Sequence, residues 1–122
     1  MNFCSQCGSQ DIKSLVPPSD HKERKVCGTC GTVHYENPRI IAGCLPVFGK
    51  QVLLCKRAIE PRKGYWNLPA GFMEKDETLE EGAAREVMEE ARARVIIKGL
   101  HAVFSNTTFH HVYFHFLGEI VN

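Results

Sequence analysis

Three carboxylates, Glu86, Glu89 and Glu90, fall within the six residues REVMEE beside a single arginine, Arg85. On a helix they stand at i, i+3 and i+4 and so project from one side. Like charges at that spacing weaken a helix by roughly a few tenths of a kcal/mol per pair, and one arginine cannot neutralise three of them. A solvated acidic face is the plain explanation for such a run. The small and apolar neighbours Ala83, Ala84 and Val87, and the glycine-containing turn LPAGF just upstream, weigh against it. A hard divalent cation would remove the repulsion, and an all-oxygen cluster suits magnesium or manganese.

A second constellation stands near the N-terminus. CSQCG (Cys4, Cys7) and CGTCG (Cys27, Cys30) are two CxxC turns with nineteen residues between them. Each turn lets two thiolates converge, and a glycine follows each pair to relieve the tight backbone. Together they supply four thiolates for a tetrahedral zinc, a closed and therefore structural site rather than a catalytic one. The intervening VPPSDHKERK is polar and Pro-rich and can bury little, so zinc would supply much of the folding free energy of this segment.

The elements that must position these groups can be read from pattern. The zinc ribbon is assigned to residues 1–36 and a second domain to 37–122. RIIAGCLPVF and QVLLCKR read as a hairpin joined at Gly49-Lys50, with Cys44 and Cys55 as small apolar residues inside the strands. YWNLPAGF reads as a short strand entering a turn. Thr78 and Glu81 form a T-x-x-E capping box, and Leu79, Ala83, Val87 and Ala91 recur with helical spacing. RVIIKGLHAVF and HHVYFHFLGEI then read as strands. In the last of these, His110, His111 and His115 sit among alternating apolar residues and read as partly exposed strand histidines rather than ligands.

Residues 71 to 93, GFMEKDETLEEGAAREVMEEARA, resemble the Nudix box, G-x5-E-x7-R-E-U-x-E-E-x-G-U, where U is a bulky aliphatic residue. Gly71, Glu77, Arg85, Glu86, Val87, Glu89 and Glu90 match in type and spacing. Arg92 replaces the final glycine, and Ala93 is a small version of the aliphatic residue. That glycine would sit just past the helix end, where a left-handed conformation costs other residues about 1 kcal/mol. The resemblance implies a magnesium-dependent hydrolase of nucleoside diphosphates linked to another moiety. Its fold would be an α/β/α sandwich around a mixed sheet, preceded by a small Cys4 zinc ribbon. Glu86 and Glu90 would be the principal magnesium (or manganese) ligands, with Glu89 binding a second ion or assisting proton transfer. The Ala70 carbonyl would complete the shell, Arg85 would orient the carboxylates and Glu77 would support them.

The ribbon followed by CGTCGTVHYENPRIIAGCLP and VLLCKR looks closest to FAD and ADP-ribose pyrophosphatases, which release AMP. NADH pyrophosphatases also carry a ribbon, but their Ser-Gln-Pro-Trp-Pro-Phe-Pro run beyond the box is absent. Trp66 and Tyr65 could stack on a substrate ring, although Trp66 as core beneath the turn is the plainer reading. Arg57 could meet phosphates, while Arg62 and Lys63 read as solvated loop charges. Relative to the family, the chain reads as C-terminally short: with only 29 residues after Ala93, the usual closing strands and C-terminal helix are expected to be absent. Apolar surface would then be left for a second subunit, as in a homodimer, or for further chain to cover.

Bulk composition is consistent with this. Fifteen Lys plus Arg against 14 Asp plus Glu give a formal charge of +1. That exerts no global pull toward nucleic acid or an acidic membrane. No apolar run is long enough for a membrane span, and paired CxxC thiols point to a reducing, cytoplasmic setting. Two competing readings remain: a zinc-ribbon module that binds nucleic acid or protein, supported only by the basic run HKERK, and a nucleotide sensor that binds without cleaving.

Overall fold

β-branched and aromatic runs assemble as the long strands of the second half of the chain, and the one strongly periodic segment is helical. The structure, a computed structural model, describes residues 1–121. The chain divides into two units, Met1–Asn37 and Pro38–Asn122.

In the first unit, β1 (Ile12–Leu15), β2 (Arg24–Cys27) and β3 (Val33–His34) form an antiparallel sheet in that order. The polar stretch between the cysteine pairs is thus a β-hairpin rather than featureless loop, held by backbone pairing from Ile12↔Cys27 to Leu15↔Arg24. It still buries little: Cys4, Pro17 and Cys27 are the buried residues among those described in this unit.

The second unit is built on a mixed sheet. β4 (Arg39–Phe48) runs parallel to β10 (His111–Ile120), which pairs antiparallel with β9 (Val95–Asn106). On the other side of β4 lie β5 (Gln51–Val52) and β8 (Ala70–Phe72), both antiparallel to it. A separate two-stranded ribbon pairs β6 (Cys55–Lys56) with β7 (Trp66–Asn67). The single helix among the described residues, α1 (Leu79–Ala91), covers one face of the sheet. Ala83 and Val87 pack there against Ala42, Cys44 and Phe116, with Leu53, Leu79, Val95, Ile97 and Phe114 around them. Gly82 allows the close approach, because a Cβ there would meet the Ala42 methyl at 3.2 Å. Burial of Cys44 pushes its thiol up to about 11, so this cysteine is an inert core residue.

The second arm of the expected hairpin is shorter than QVLLCKR. Pairing ends after Val47↔Val52, where the Leu53 amide donates to the Pro46 carbonyl at 2.9 Å. Pro46 has no N–H to return, so the ladder stops and Cys55–Lys56 pairs elsewhere. Trp66 is not core either. It is 62 % exposed, with the Lys56 ammonium 5.8 Å from its ring. The residues beneath the turn are instead the small Gly43 and Ala70, too tightly stacked for an indole: a Cβ at Gly43 would lie 2.9 Å from that of Ala70.

Helix α1 begins and ends as its sequence dictates. Thr78 Oγ1 accepts from the Glu81 amide at 3.1 Å, and the Glu81 carboxylate accepts from the Thr78 amide at 2.9 Å. Arg92 closes the helix in the left-handed region (φ 52, ψ 32), its amide donating to the Met88 carbonyl. Replacing Arg92 with glycine should raise stability by about 1 kcal/mol. Chemical denaturation of the two proteins tests this, and an equal or lower midpoint for Arg92→Gly would count against strain at the helix exit.

Candidate metal centres and catalytic turn

Strand β8 sets the acidic site. It lies antiparallel to β4 with Gly71 opposite Ala42, directly under α1. A Cβ at Gly71 would overlap the Glu86 carboxylate, which is the one buried acidic side chain of the described residues, at 7 % exposure. Glycine is required here for a close approach rather than for an unusual backbone. Gly71→Ala should therefore expel Glu86 and weaken divalent-metal affinity by about tenfold to a hundredfold, with helix content unchanged. Calorimetric magnesium or manganese titration beside far-UV dichroism reads both, and wild-type affinity would contradict the packing argument.

Arg85 organises the cluster. Its Nε and Nη2 donate to the two carboxylate oxygens of Glu77 at 2.9 and 2.8 Å, a bidentate pair. Nη1 donates to Glu86 Oε1 at 2.7 Å and lies 3.3 Å from both Glu89 oxygens, while Nη2 also reaches the Phe72 carbonyl at 3.2 Å. Glu77 additionally accepts from the Glu74 amide at 2.7 Å. The Arg85 guanidinium, and then that amide, hold Glu77 down at about 2. Pairing with Glu77 in turn raises Arg85, which stays charged throughout. With the single charge of Arg85 shared among Glu77, Glu86 and Glu89, negative charge is left in excess in the cluster. Reduced hydration first, and then the Glu86 carboxylate, push Glu90 up to about 7; the Ala70 amide and the Arg57 charge oppose this.

A hard divalent cation fits that donor set. The ligands are all oxygens, Arg85 occupies Glu86 Oε1 and not Oε2, and Glu90 has no cation strong enough to keep its carboxyl in the ordinary range. Among the described residues the four cysteines, and not the three carboxylates, form a mutually close set of ligand atoms.

The cysteines converge. Cys4, Cys7, Cys27 and Cys30 place all four sulfurs within 4.8 Å of one another. Cys4 and Cys30 are 3.7 Å apart, and Cys7 and Cys27 3.5 Å. Four sulfurs at the usual zinc–sulfur distance would be separated by about 3.8 Å, so the set fits tetrahedral zinc. Knuckle amides point at the sulfurs: Gln6 to Cys4 and Cys30 to Cys27, both at 3.4 Å. The Cys30 amide, aided by that of Thr29, pulls the Cys27 thiol down to about 6, and the Thr32 hydroxyl lowers Cys30. Cys7 moves the other way, pushed up to about 12 against the Ser9 amide by its contact with the Cys27 sulfur, so thiolate character before any ion arrives is confined to part of the cluster.

Among the candidate substrate residues, Tyr65 and Trp66 stand exposed in and beside β7. Arg57 is half-buried. Its Nε donates to the Pro61 carbonyl at 2.7 Å, bracing the loop, while its charge is felt by Glu90. His110 lies in the turn before β10 with φ 58, and His111 and His115 lie in the strand, half-buried. His115 is pulled down by burial, and its Nε2 is buried with no hydrogen-bond partner among the described residues.

A cleft of about 640 Å³ beside the box is lined by Arg39, Phe72, Glu74, Lys75 and Glu77, among others. The Arg39 guanidinium lies 5.3 Å from the Phe72 ring centroid, and the His111 ring meets that ring edge-on with centroids 5.3 Å apart. Reasoning from sequence missed Arg39 and Phe72 as candidates. The box begins one residue before Phe72, but only the β4–β8 pairing brings Arg39 to it.

Comparison with known proteins follows the same division. The family description "NUDIX domain" matches residues 37–121, and "Nudix N-terminal", a zinc-ribbon family, matches residues 2–36. The NAD-capped RNA hydrolase NudC of Vibrio parahaemolyticus is 36% identical over 97 residues, covering 78% of this chain and 34% of that protein. The ADP-ribose pyrophosphatase of Methanocaldococcus jannaschii is 36% identical over 99 residues, covering 81% of this chain and 54% of that protein. The chain thus spans between a third and just over half of the length of these curated relatives. A crystal structure of a NUDIX hydrolase from Nitrosomonas europaea superposes with a TM-score of 0.94 at 50% identity, covering 100% of this chain and 69% of that one. Among the described residues, no helix is long and apolar enough to cross a membrane.

Proposed function

We propose that this chain, which belongs to the Nudix hydrolase family, is a divalent-metal-dependent pyrophosphatase that splits the diphosphate of a nucleoside diphosphate linked to X. The observation that carries the reading is the Arg85 clamp: it holds Glu77 bidentately and seats Glu86 against Gly71, so its one charge is shared among several carboxylates and Glu90 is left without a strong cationic partner. Glu86 and Glu90 are then the principal holders of magnesium or manganese. When bound, the ion would neutralise charge on the phosphate oxygens and activate a water for in-line attack.

The chain's own residues do the positioning. Arg85 fixes Glu86 at 2.7 Å, so that carboxylate needs little rearrangement on ion binding. Glu89, solvent-facing and only loosely held at 3.3 Å, is free to take a second ion or a proton from the attacking water. Ala70 directs its amide at Glu90, and in an extended strand the carbonyl of the same residue points the same way, which supports its place in the metal shell. Glu77 keeps Arg85 in register from below. The four cysteines hold a structural zinc, and residues 1–36 and 37–122 are the ribbon and the hydrolase domain.

ADP-ribose is the favoured substrate, with AMP released, and its support is the archaeal relative named for that activity. FAD stands beside it on the resemblance of the ribbon, hairpin and box alone. A nicotinamide dinucleotide end is the second reading, favoured by the naming of the Vibrio relatives. The stretch spanning the β9–β10 turn, SNTTFHH (105–111), departs from the run expected of NADH pyrophosphatases. A product assay with ADP-ribose, FAD and NADH, each with magnesium and chromatography for AMP, tests the reading. AMP from ADP-ribose above the others is the expected result. AMP from NADH alone would transfer the assignment to the second reading, and nucleotide binding without any cleavage would make the chain a sensor.

A further inference from the structure

The ribbon's sulfurs are not equivalently supported. Cys4 is 2 % exposed, so water cannot solvate the charge its thiolate carries, and four thiolates around one zinc leave a net charge of −2. The first knuckle provides one weak donor, the Gln6 amide at 3.4 Å. A second group approaches from outside both knuckles: His34 Nε2 lies 3.3 Å from Cys4 Sγ, across thirty residues of sequence. His34 is set there by the backbone, because β3 pairs with β2 at Lys25↔His34 and Val26↔Val33. Two residues earlier, Thr32 Oγ1 stands 3.0 Å from Cys30 Sγ, so one short stretch after the second knuckle serves a sulfur from each CxxC pair. His34 does not belong to the mutually close set of four sulfurs, which closes without it.

We propose that His34 is a positioning residue of the ribbon's metal site: its Nε2–H donates to the Cys4 thiolate, holds that sulfur in place as a ligand and slows release of the ion. The inference rests on the zinc reading given above. An imidazole protonated on Nε2 satisfies the geometry, and a hydrogen bond to a ligating sulfur withdraws charge from it without displacing it. Loss of such an outer partner usually costs tenfold to a hundredfold in metal affinity.

The test uses the full chain. Metal analysis of the purified protein comes first, because absence of zinc would remove the zinc reading itself. With the ion replaced by 113Cd and the histidines labelled with 15N, a through-hydrogen-bond coupling between cadmium and the His34 Nε2 proton is expected. Its absence in a metal-loaded protein would overturn the proposal while leaving the ribbon's zinc intact, and a direct one-bond cadmium–nitrogen coupling would overturn it in favour of ligation by His34. Zinc transfer to a chromophoric chelator should be about tenfold to a hundredfold faster in His34→Phe, which keeps a ring but no donor. His34→Gln, which restores an N–H, should recover part of that loss. Transfer at the wild-type rate in His34→Phe would contradict the role assigned to the bond.

Discussion

Glu90→Gln should lower magnesium-dependent turnover by at least about a hundredfold while leaving the thermal midpoint of the metal-free protein unchanged or raised. The substitution removes a charge that the protein tolerates poorly: Glu90 is held up at about 7 by reduced hydration and by the Glu86 carboxylate. An acid whose folded pKa exceeds its unfolded one destabilises the fold above the unfolded pKa, near 4.5, and most fully above the folded value. Neutral glutamine therefore relieves the metal-free protein at neutral pH and removes a ligand from the metal-bound one. Opposite movements of turnover and stability mark a functional carboxylate; a structural one would lose both together. Steady-state rates beside calorimetry decide the matter, and wild-type turnover in Glu90→Gln would remove Glu90 from the site.

Removing zinc should have the largest structural effect of any perturbation, and it should be confined to one unit. Cys4, Pro17 and Cys27 are the buried residues described in Met1–Asn37, so two of the three belong to the proposed zinc cluster. A unit of this size with so little core depends on its ion, and structural zinc in comparable peptides contributes on the order of 10 kcal/mol. Chelation is expected to collapse the dispersed amide resonances of residues 1–37 while those of α1, β4, β9 and β10 stay in place. Persistent β1–β2–β3 resonances after proven zinc loss would show that the hairpins hold themselves up. Divalent-metal binding at Glu86 should be unaffected by the treatment, provided the chelator is removed before titration.

Local chemistry was legible in the sequence and long-range pairing was not. Thr78 and Glu81 announce the start of α1 because capping acts over three residues, and Arg92 marks its end because a left-handed residue must follow the last turn. The CxxC spacing likewise needs only two short turns to be read. Gly71 and Glu86 were assigned through the box, yet the reason one must be glycine appears only once β8 lies on β4. Core beneath the turn is the plainer sequence reading of Trp66 against stacking on a substrate ring, but the layer beneath the turn is closed by Gly43 and Ala70 and Trp66 stands exposed. The split of QVLLCKR depended on Pro46, whose missing N–H matters only in the register the hairpin adopts. Arg39 and Phe72 illustrate the same limit: more than thirty residues apart in sequence, they meet through strand pairing.

The parallel pairing of β4 with β10 also dictates an order in time. Arg39 is paired with His111, more than seventy residues later, and Val47 with Glu119. Closing so long a loop costs entropy that only the completed contact repays, whereas every pairing in the first unit spans far fewer residues. On a ribosome, all four cysteines are therefore available to zinc while β4 still lacks its central neighbour. The β4–β10 pairing is expected to close after the more local β4–β8 pairing, which is the one that carries Gly71.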